Sequence, residues 1–458
     1  QDKTKDEREG GKMIRRLHGD HLQTDCPKGS SQSVALGRKP SPDKERFPQQ
    51  VGIECKRKGR IMRFAFMKPF ILLAFTIGTA ALQAKVQVEA DFPGGSVVVE
   101  ELDPEKRLLR FRPMNHKGKG WACWWYFKVS GLTPGEVWKL SLNGSGFAAP
   151  SRASVSSDDK TWKHTSPGKR SGKLLTYEVK VDAETTWFAW GPPFTLADAR
   201  QLVEKTAKAK VGAETFELCK SQDGHAVPAL RWEPKGDGKQ PAIWIQARQH
   251  AWESGSSWVC RGLVEWLASG QEDAKALREK ARIHVVPIMD VDNVERGAGG
   301  KNQIPHDHNR DWSDQPRYPE VAAAQAWIRR LDKERSFSLF LDLHNPGPGD
   351  RTPFFFGSPD SHLNPTRKAN QKRFHKLSME TLGKHPLGLS EKVRVTGPGY
   401  HPLWRRISKN WVAENTGSTS VNLTLETSWN SSDSTQDGYQ NYGAALGQAI
   451  ANYLKHAR

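Results

Sequence analysis

The chain has 458 residues, room for two or three domains, and its 36% hydrophobic and 26% charged residues with 17 Trp give a globular rather than a fibrous or wholly disordered composition. The formal charge is +18, but 17 Lys/Arg against 9 Asp/Glu fall in the first 84 residues, leaving 52 against 42 beyond them. No nucleic-acid-binding motif accompanies this charge, so a basic surface that steers acidic solutes follows from it and a nucleic-acid partner does not.

In chain order, residues 1–66 are polar, charged and without periodicity. They read as a disordered stretch and a candidate for translated upstream sequence, since the chain opens on Gln1 and Met62 and Met67 come later. A basic run ending at Arg63 precedes the apolar Phe70–Leu82, and Ala84 follows. This is the pattern of a secretory signal peptide over 67–84, cleaved near Ala84, and the apolar run is short for a bilayer span. A secreted or envelope protein with no stable membrane span after cleavage is expected, an N-terminal anchor being the alternative. Oligomeric state is not readable.

Residues 85–195 carry short alternating runs at Val86–Ala90, Val97–Glu100, Leu108–Arg112, Trp124–Val129, Val137–Leu142, Leu175–Val181 and Trp187–Trp190. Gly, Pro, Asn or Asp bound each run, which predicts an antiparallel β-sandwich. A helix is expected at 196–208, then strands at 216–220 and 229–232. From Pro241 strands and helices alternate. The strands are 242–246, 283–288, 338–343, 353–356 and 421–425; the helices are about 257–268, 319–331, 366–382, 402–412 and 439–455. The fold class is therefore α/β, a mixed, largely parallel sheet covered by helices on both faces, preceded by an all-β sandwich. Five cysteines show no metal-binding spacing, and Cys123, Cys219 and Cys260 read as small buried hydrophobes.

The chemistry centres on the stretch after the 242–246 strand. The chain leaves the core there and presents His250 and Glu253, with Ser254-Gly-Ser-Ser expected to cap the next helix. An imidazole nitrogen and a carboxylate oxygen three residues apart can reach one zinc ion. Three later stretches add to them: Asp307-His-Asn309-Arg310-Asp-Trp312, Phe340-Leu-Asp342-Leu-His344-Asn345 and Leu423-Thr-Leu-Glu426. His250, His344 and Glu426 fall at or just past strand ends, where sites form in open α/β sheets.

The order His, Glu, Asn-Arg, His, Glu resembles the zinc metallocarboxypeptidases of the carboxypeptidase A type. Ala247-Arg-Gln-His-Ala-Trp-Glu, Val286-Pro-Ile-Met-Asp-Val-Asp, Leu341-Asp-Leu-His and Thr424-Leu-Glu are most similar to the cytosolic-carboxypeptidase branch. So is Trp124-Trp-Tyr-Phe-Lys-Val in the β-domain that precedes the catalytic domain in that branch. The resemblance implies a β-domain over 85–195 and a catalytic domain over 196–458. It implies one Zn2+ per chain held by His250, Glu253 and His344, with Glu426 as general base. Asn309 and Arg310 become the clamp for a C-terminal carboxylate, for which a guanidinium offers paired donors. Asp307 accepts the N–H of a ligating imidazole, with Asp342 competing for the role. Arg296 is the candidate for the cation that stabilises the tetrahedral oxyanion, with Arg248 and Lys301 as rivals. Tyr400, on a Gly-rich loop, is either a mobile lid or a packed loop aromatic. His306 and His308 are rival ligands, but a fourth protein ligand would close the open metal position.

Three departures stand out: Ala251-Trp252 in place of Pro-Gly, His308 in place of Leu, and Asn345-Pro-Gly-Pro-Gly after the third ligand. The expected function is hydrolysis of the last, or a side-chain-linked, amino acid of a peptide by a zinc-activated water, the resemblance pointing to acidic leaving groups. The partner is a peptide or protein C-terminus. The alternatives are a zinc amidase on cell-wall peptides or N-acyl amino acids, and a non-catalytic surface-binding protein with a vestigial zinc site.

Overall fold

The computed structural model describes residues 85–455 except 145, 236–239 and 335–336, all within one compact unit. The expected disordered stretch, the signal peptide, Cys26 and Cys55 lie outside the described residues. None of the described helices is long and apolar enough to cross a membrane.

The first region holds β1 (Gln87–Glu89), β2 (Val98–Asp103), β3 (Leu108–Arg112), β4 (Tyr126–Ser130) and β5 (Val137–Asn143), then β6 (Ser154–Ser156), β7 (Lys163–His164), β8 (Lys169–Ser171), β9 (Leu174–Lys180) and β10 (Thr186–Ala189). They form two five-stranded sheets, ordered β1-β4-β10-β6-β7 and β2-β3-β5-β9-β8. One core lies between them: Phe111 of β3 meets Trp125 and Phe127 at ring separations of 5.1 and 5.0 Å. The pairing is antiparallel apart from β3 and β5, which run parallel. The chain visits the other sheet through β4 between them, and such a crossover returns a strand in its original direction. Strands β6 to β8 had no sequence signal because they are short and polar.

The second region begins with α1 (Leu196–Lys208), where Thr195 and Asp198 form a capping box. There follow β11 (Ala213–Lys220), β12 (Ala226–Trp232), β13 (Ala242–Ala247), α2 (Ser254–Leu267), α3 (Glu272–Lys280), β14 (Arg282–Val286) and α4 (Val291–Arg296). The rest is α5 (Pro319–Lys333), β15 (Phe337–His344), β16 (Phe354–Gly357), α6 (Pro365–Thr381), β17 (Arg394–Val395), α7 (Ser408–Asn415), β18 (Val421–Glu426) and α8 (Gln436–Lys455). Eight strands make one sheet, β11-β12-β14-β13-β15-β18-β16-β17. Its centre, β14-β13-β15-β18, is parallel and almost wholly buried, and the flanks bring in antiparallel pairs. Helices α2 and α8 meet backbone to backbone: a Cβ at Gly262 would lie 1.9 Å from Gln440 O, and one at Gly443 2.0 Å from Val259 O.

Two expectations are corrected. Helix α2 starts at Ser254, so Ser254-Gly-Ser-Ser forms its first turn rather than a cap; Glu253 stands at the N-cap position without capping, its carboxylate being turned toward two imidazoles. The helix expected over 402–412 is broken into a 3-10 turn at Trp404–Arg406 and α7. The Asn410 side chain donates to Trp404 O and Thr396 O, and the break frees the Ser408 N–H for Asn309 Oδ1 at 2.9 Å.

Candidate active site

Strands β13, β15 and β18 lie side by side and end at one edge of the sheet. In register, Ala247 is opposite Leu343 and His344 is opposite Glu426. Parallel strands in register deliver their C-terminal residues to one place. Beyond β13, Arg248 takes a left-handed backbone conformation, φ 66°, and turns the chain out of the sheet. Its buried guanidinium donates to Ala251 O at 2.7 Å and Phe194 O at 3.2 Å, and so braces the His250–Glu253 loop from behind.

His250, Glu253 and His344 are buried, and their donor atoms lie within 4.8 Å of one another. Each oxygen of the one carboxylate faces one Nδ1: Oε1 is 2.8 Å from His250 and Oε2 2.7 Å from His344. Each far ring nitrogen faces another carboxylate: His250 Nε2 is 3.5 Å from Asp307 Oδ1, and His344 Nε2 is 3.0 Å from Asp342 Oδ2. Asp307 and Asp342, rivals in the sequence, thus each serve one imidazole. A carboxylate behind a ring nitrogen fixes the tautomer that leaves the other nitrogen free as a ligand. Two imidazoles and a carboxylate so arranged fit zinc. Burial alone would raise the Glu253 carboxyl; His250 and His344 outweigh it and hold the group below the usual carboxylate range.

Glu426 ends β18 with its Oε2 buried and, among the described residues, without a hydrogen-bond partner. Burial, aided by the negative charge of Glu253, pushes its carboxyl well above the ordinary range. Asn309 and Arg310 sit on a buried 3-10 turn, His308–Arg310, with Asn309 Nδ2 3.3 Å from His344 Nε2. Arg310 donates to Asn309 O at 2.7 Å, while its Nε is buried and unpaired. Tyr400 is half exposed, and its ring lies 6.0 Å from the Arg310 guanidinium and 5.4 Å from the Phe356 ring. His306 pairs with Asp311 at 2.6 Å, and His308 lies between Asp290 at 3.7 Å and Glu320 at 3.6 Å, so neither joins the cluster.

Arg296 does not join it either. It ends helix α4, bonds Asn293 Oδ1 at 3.1 Å, pairs with Asp223, and lines a surface cavity with Phe92 and Glu295. A basic side chain in a helix's last turn is drawn to nearby acids and to the free carbonyls there, and Arg296 also reaches Asp292 O. The cation beside the cluster is Lys301, with Nζ 3.4 Å from His250 Nε2 and 3.6 Å from Asp307 Oδ2. Loop 299–304, which carries Lys301, is held by backbone bonds from Trp121 N to Lys301 O and from Gly300 N to Lys119 O, at 3.0 and 2.9 Å.

One group at the site had no sequence signal. Lys409 is fully buried on α7, beside Ser408, and donates to Gly357 O at 2.8 Å, Asn410 Oδ1 at 2.7 Å and Thr396 Oγ1. Among the described residues no carboxylate lies within ion-pair reach of it; burial and the positive field of Arg310 hold its ammonium far below the ordinary range. Its neighbours in sequence, Ile407 and Trp411, made the segment read as plain helix.

The chain is similar to known proteins in sequence and in fold. The family model described as zinc carboxypeptidase matches residues 200–440. An uncharacterized protein of Zymomonas mobilis is 31% identical over 268 residues, covering 57% of this chain and 67% of its own length. Cytosolic carboxypeptidase 2 of Danio rerio is 24% identical over 255 residues; the match covers 48% of this chain and only 35% of that protein. Among solved structures, a metallo-carboxypeptidase from Burkholderia cenocepacia superposes with a TM-score of 0.70 at 19% identity, over 81% of this chain and 99% of its own. A metallo-carboxypeptidase from Pseudomonas aeruginosa, in complex with (2-guanidinoethylmercapto)succinic acid, gives 0.68 at 21% identity, over 81% and 100%. These structural likenesses speak for the fold; with a family match over more than half of the residues, the chain belongs to the zinc carboxypeptidases, a family of peptide hydrolases.

Proposed function

We propose that the chain removes the C-terminal amino acid from a peptide, with a preference for acidic residues, and that His250, Glu253 and His344 hold one zinc ion. The observation that carries this reading is the convergence of both Nδ1 atoms on the two oxygens of Glu253, with an unpartnered Glu426 at the adjoining strand end. Zinc, when bound, supplies a Lewis acid that acidifies water and polarises the scissile carbonyl. Glu426 takes the proton of the attacking water and hands it to the leaving amine, a role suited to a carboxyl raised by burial. Arg310 and Asn309 hold the terminal carboxylate. Lys301, rather than Arg296, faces the developing negative charge. Lys409 and Arg310 together put two buried basic side chains on the clamp side, and a leaving residue carrying two carboxylates would restore the charge that burial and Arg310 disfavour on Lys409. The signal-peptide pattern supports an envelope or secreted location.

The test is a panel of peptides ending in Glu, Asp, Lys or Phe, with free or amidated termini, with and without chelator. Glu426→Gln should keep zinc and lose roughly 10²–10⁴-fold in kcat, the usual size of a general-base contribution. Arg310→Ala should lose activity on free termini only. Equal loss on amidated peptides would count against the clamp and favour an amidase; zinc without any hydrolysis would favour a binding protein.

A further inference from the structure

Trp252 stands between two of the proposed ligands, yet it packs into the core of the other region. Its ring lies 5.1 Å from Trp190, at 88°, and 5.6 Å from Phe147, at 75°. Trp190 directly follows β10, and its indole N–H donates to Phe147 O at 2.7 Å. The same Trp190 ring lies 4.5 Å from Trp429, three residues beyond Glu426. Trp429 in turn donates to Pro346 O at 2.7 Å, two residues beyond His344. All three indoles are at least 95% buried. One side chain of the β-region therefore touches the segments that follow the ends of β13 and β18, and through Trp429 reaches the segment beyond β15.

We infer that Trp190 is a positioning residue for the metal loop: with Trp252 and Trp429 it forms an aromatic wedge that fixes where His250, Glu253 and Glu426 stand. The sequence explains why such a wedge is needed. A Pro-Gly pair after the first ligand would stiffen the turn through the fixed proline φ. Ala251-Trp252 has no such constraint; the loop is held by the Arg248 bond to Ala251 O, by the Trp252 N–H bond to Gly299 O at 3.1 Å and by side-chain packing. The Trp252 indole N–H has no hydrogen-bond partner, so its ring is held by shape and ring contacts and not by a polar anchor. Edge-to-face contacts of this kind are individually modest but directional. The contact is independent of metal; its consequence for zinc rests on the ligand roles proposed above.

The experiment uses the full chain with Trp190→Ala, Trp190→Phe and, as a stability-matched control, Phe111→Leu in the core between the two β-sheets. Two quantities are read: amide hydrogen exchange over 249–254 and 426–430 in metal-free protein, and the rate of zinc release to a chelator. Trp190→Ala should speed exchange in both segments and release zinc ~10–100-fold faster, the range known for losing an outer support of a metal ligand. It should lower kcat with KM unchanged, because the clamp is held by other elements. Trp190→Phe should restore most of each. If Trp190→Ala fails to fold, Trp190→Leu, which keeps much of the volume but removes the ring contacts, decides through faster exchange in the two segments. Unchanged exchange there, or the same changes in Phe111→Leu, would overturn the inference. Altered exchange without any zinc binding by the wild type would instead refute the ligand assignment.

Discussion

Asp342 Oδ2 lies 3.0 Å from His344 Nε2, on the opposite side of the imidazole from Glu253. Both side chains leave β15 on one face because strand residues two apart do so. A carboxylate there would favour the tautomer that frees Nδ1 to bind a metal ion. Asp342→Asn should therefore weaken zinc binding ~10–100-fold, measured by competition with a chromophoric chelator. Asp307→Asn should cost less, since its oxygen stands 3.5 Å from His250 Nε2. Wild-type affinity in Asp342→Asn would remove this role.

The two candidate cations part company in the structure, so they can be separated by mutation. Lys301→Met should lower kcat by at least ~10²-fold, the scale of losing one oxyanion-stabilising donor. Arg296→Met breaks the contacts to Asp223, Asn293 and Asp292 O and should leave kcat/KM within about twofold. The reverse ranking would return Arg296 to the reaction.

Lys409 offers a specificity test. Its side-chain nitrogen is buried and donates to three neutral oxygens, so an incoming side-chain carboxylate would take the place of one of them and gain a charge-assisted bond of about 1.5–3 kcal/mol. Lys409→Met should reduce the kcat/KM ratio of Glu-ended to Phe-ended peptides by roughly 10–100-fold. A ratio that does not change would take Lys409 out of substrate selection.

His308 makes stability depend on pH. Burial alone would lower its pKa, but Asp290 and Glu320 outweigh burial and raise it to about 9. A group whose folded pKa is raised contributes its full stability below its unfolded value, near 6.5, and loses it as pH climbs through about 9. The span of that shift corresponds to on the order of 3 kcal/mol. Asp290 is itself pushed up by burial, and that shift has the same sign as the imidazole's: it costs stability as pH rises and does not offset the loss. Urea unfolding should show the loss between pH 6.5 and 9, and His308→Leu, which abolishes the titrating group, should flatten that part of the profile. An equal slope in His308→Leu would exclude the imidazole as its source.

Much of the fold was legible before any coordinates. Helix α1 is found at the residues expected, and the buried strands 242–247 and 421–426 were marked by unbroken apolar runs. The donors His250, Glu253 and His344 and the base candidate Glu426 were singled out by residue type, spacing and order. The elements that escaped are short or strongly charged: β6 to β8, β17, α3 and α4. The break before α7 escaped as well, because it is made by Asn410 and Asn309, residues that look neutral in sequence.

By itself the sequence determined most of the strands and helices and which residue types could be proposed for ligand, base and clamp chemistry, since those follow from local pattern, side-chain type and the family resemblance. Only the tertiary structure decided which cation stands beside the cluster, that two aspartates share the work behind two imidazoles, and that Trp190 reaches both loops. The physical reason is directional. Where a guanidinium, an ammonium or an indole ends up depends on how the chain turns after a helix or strand and on what packs against it from hundreds of residues away, and no local pattern encodes that.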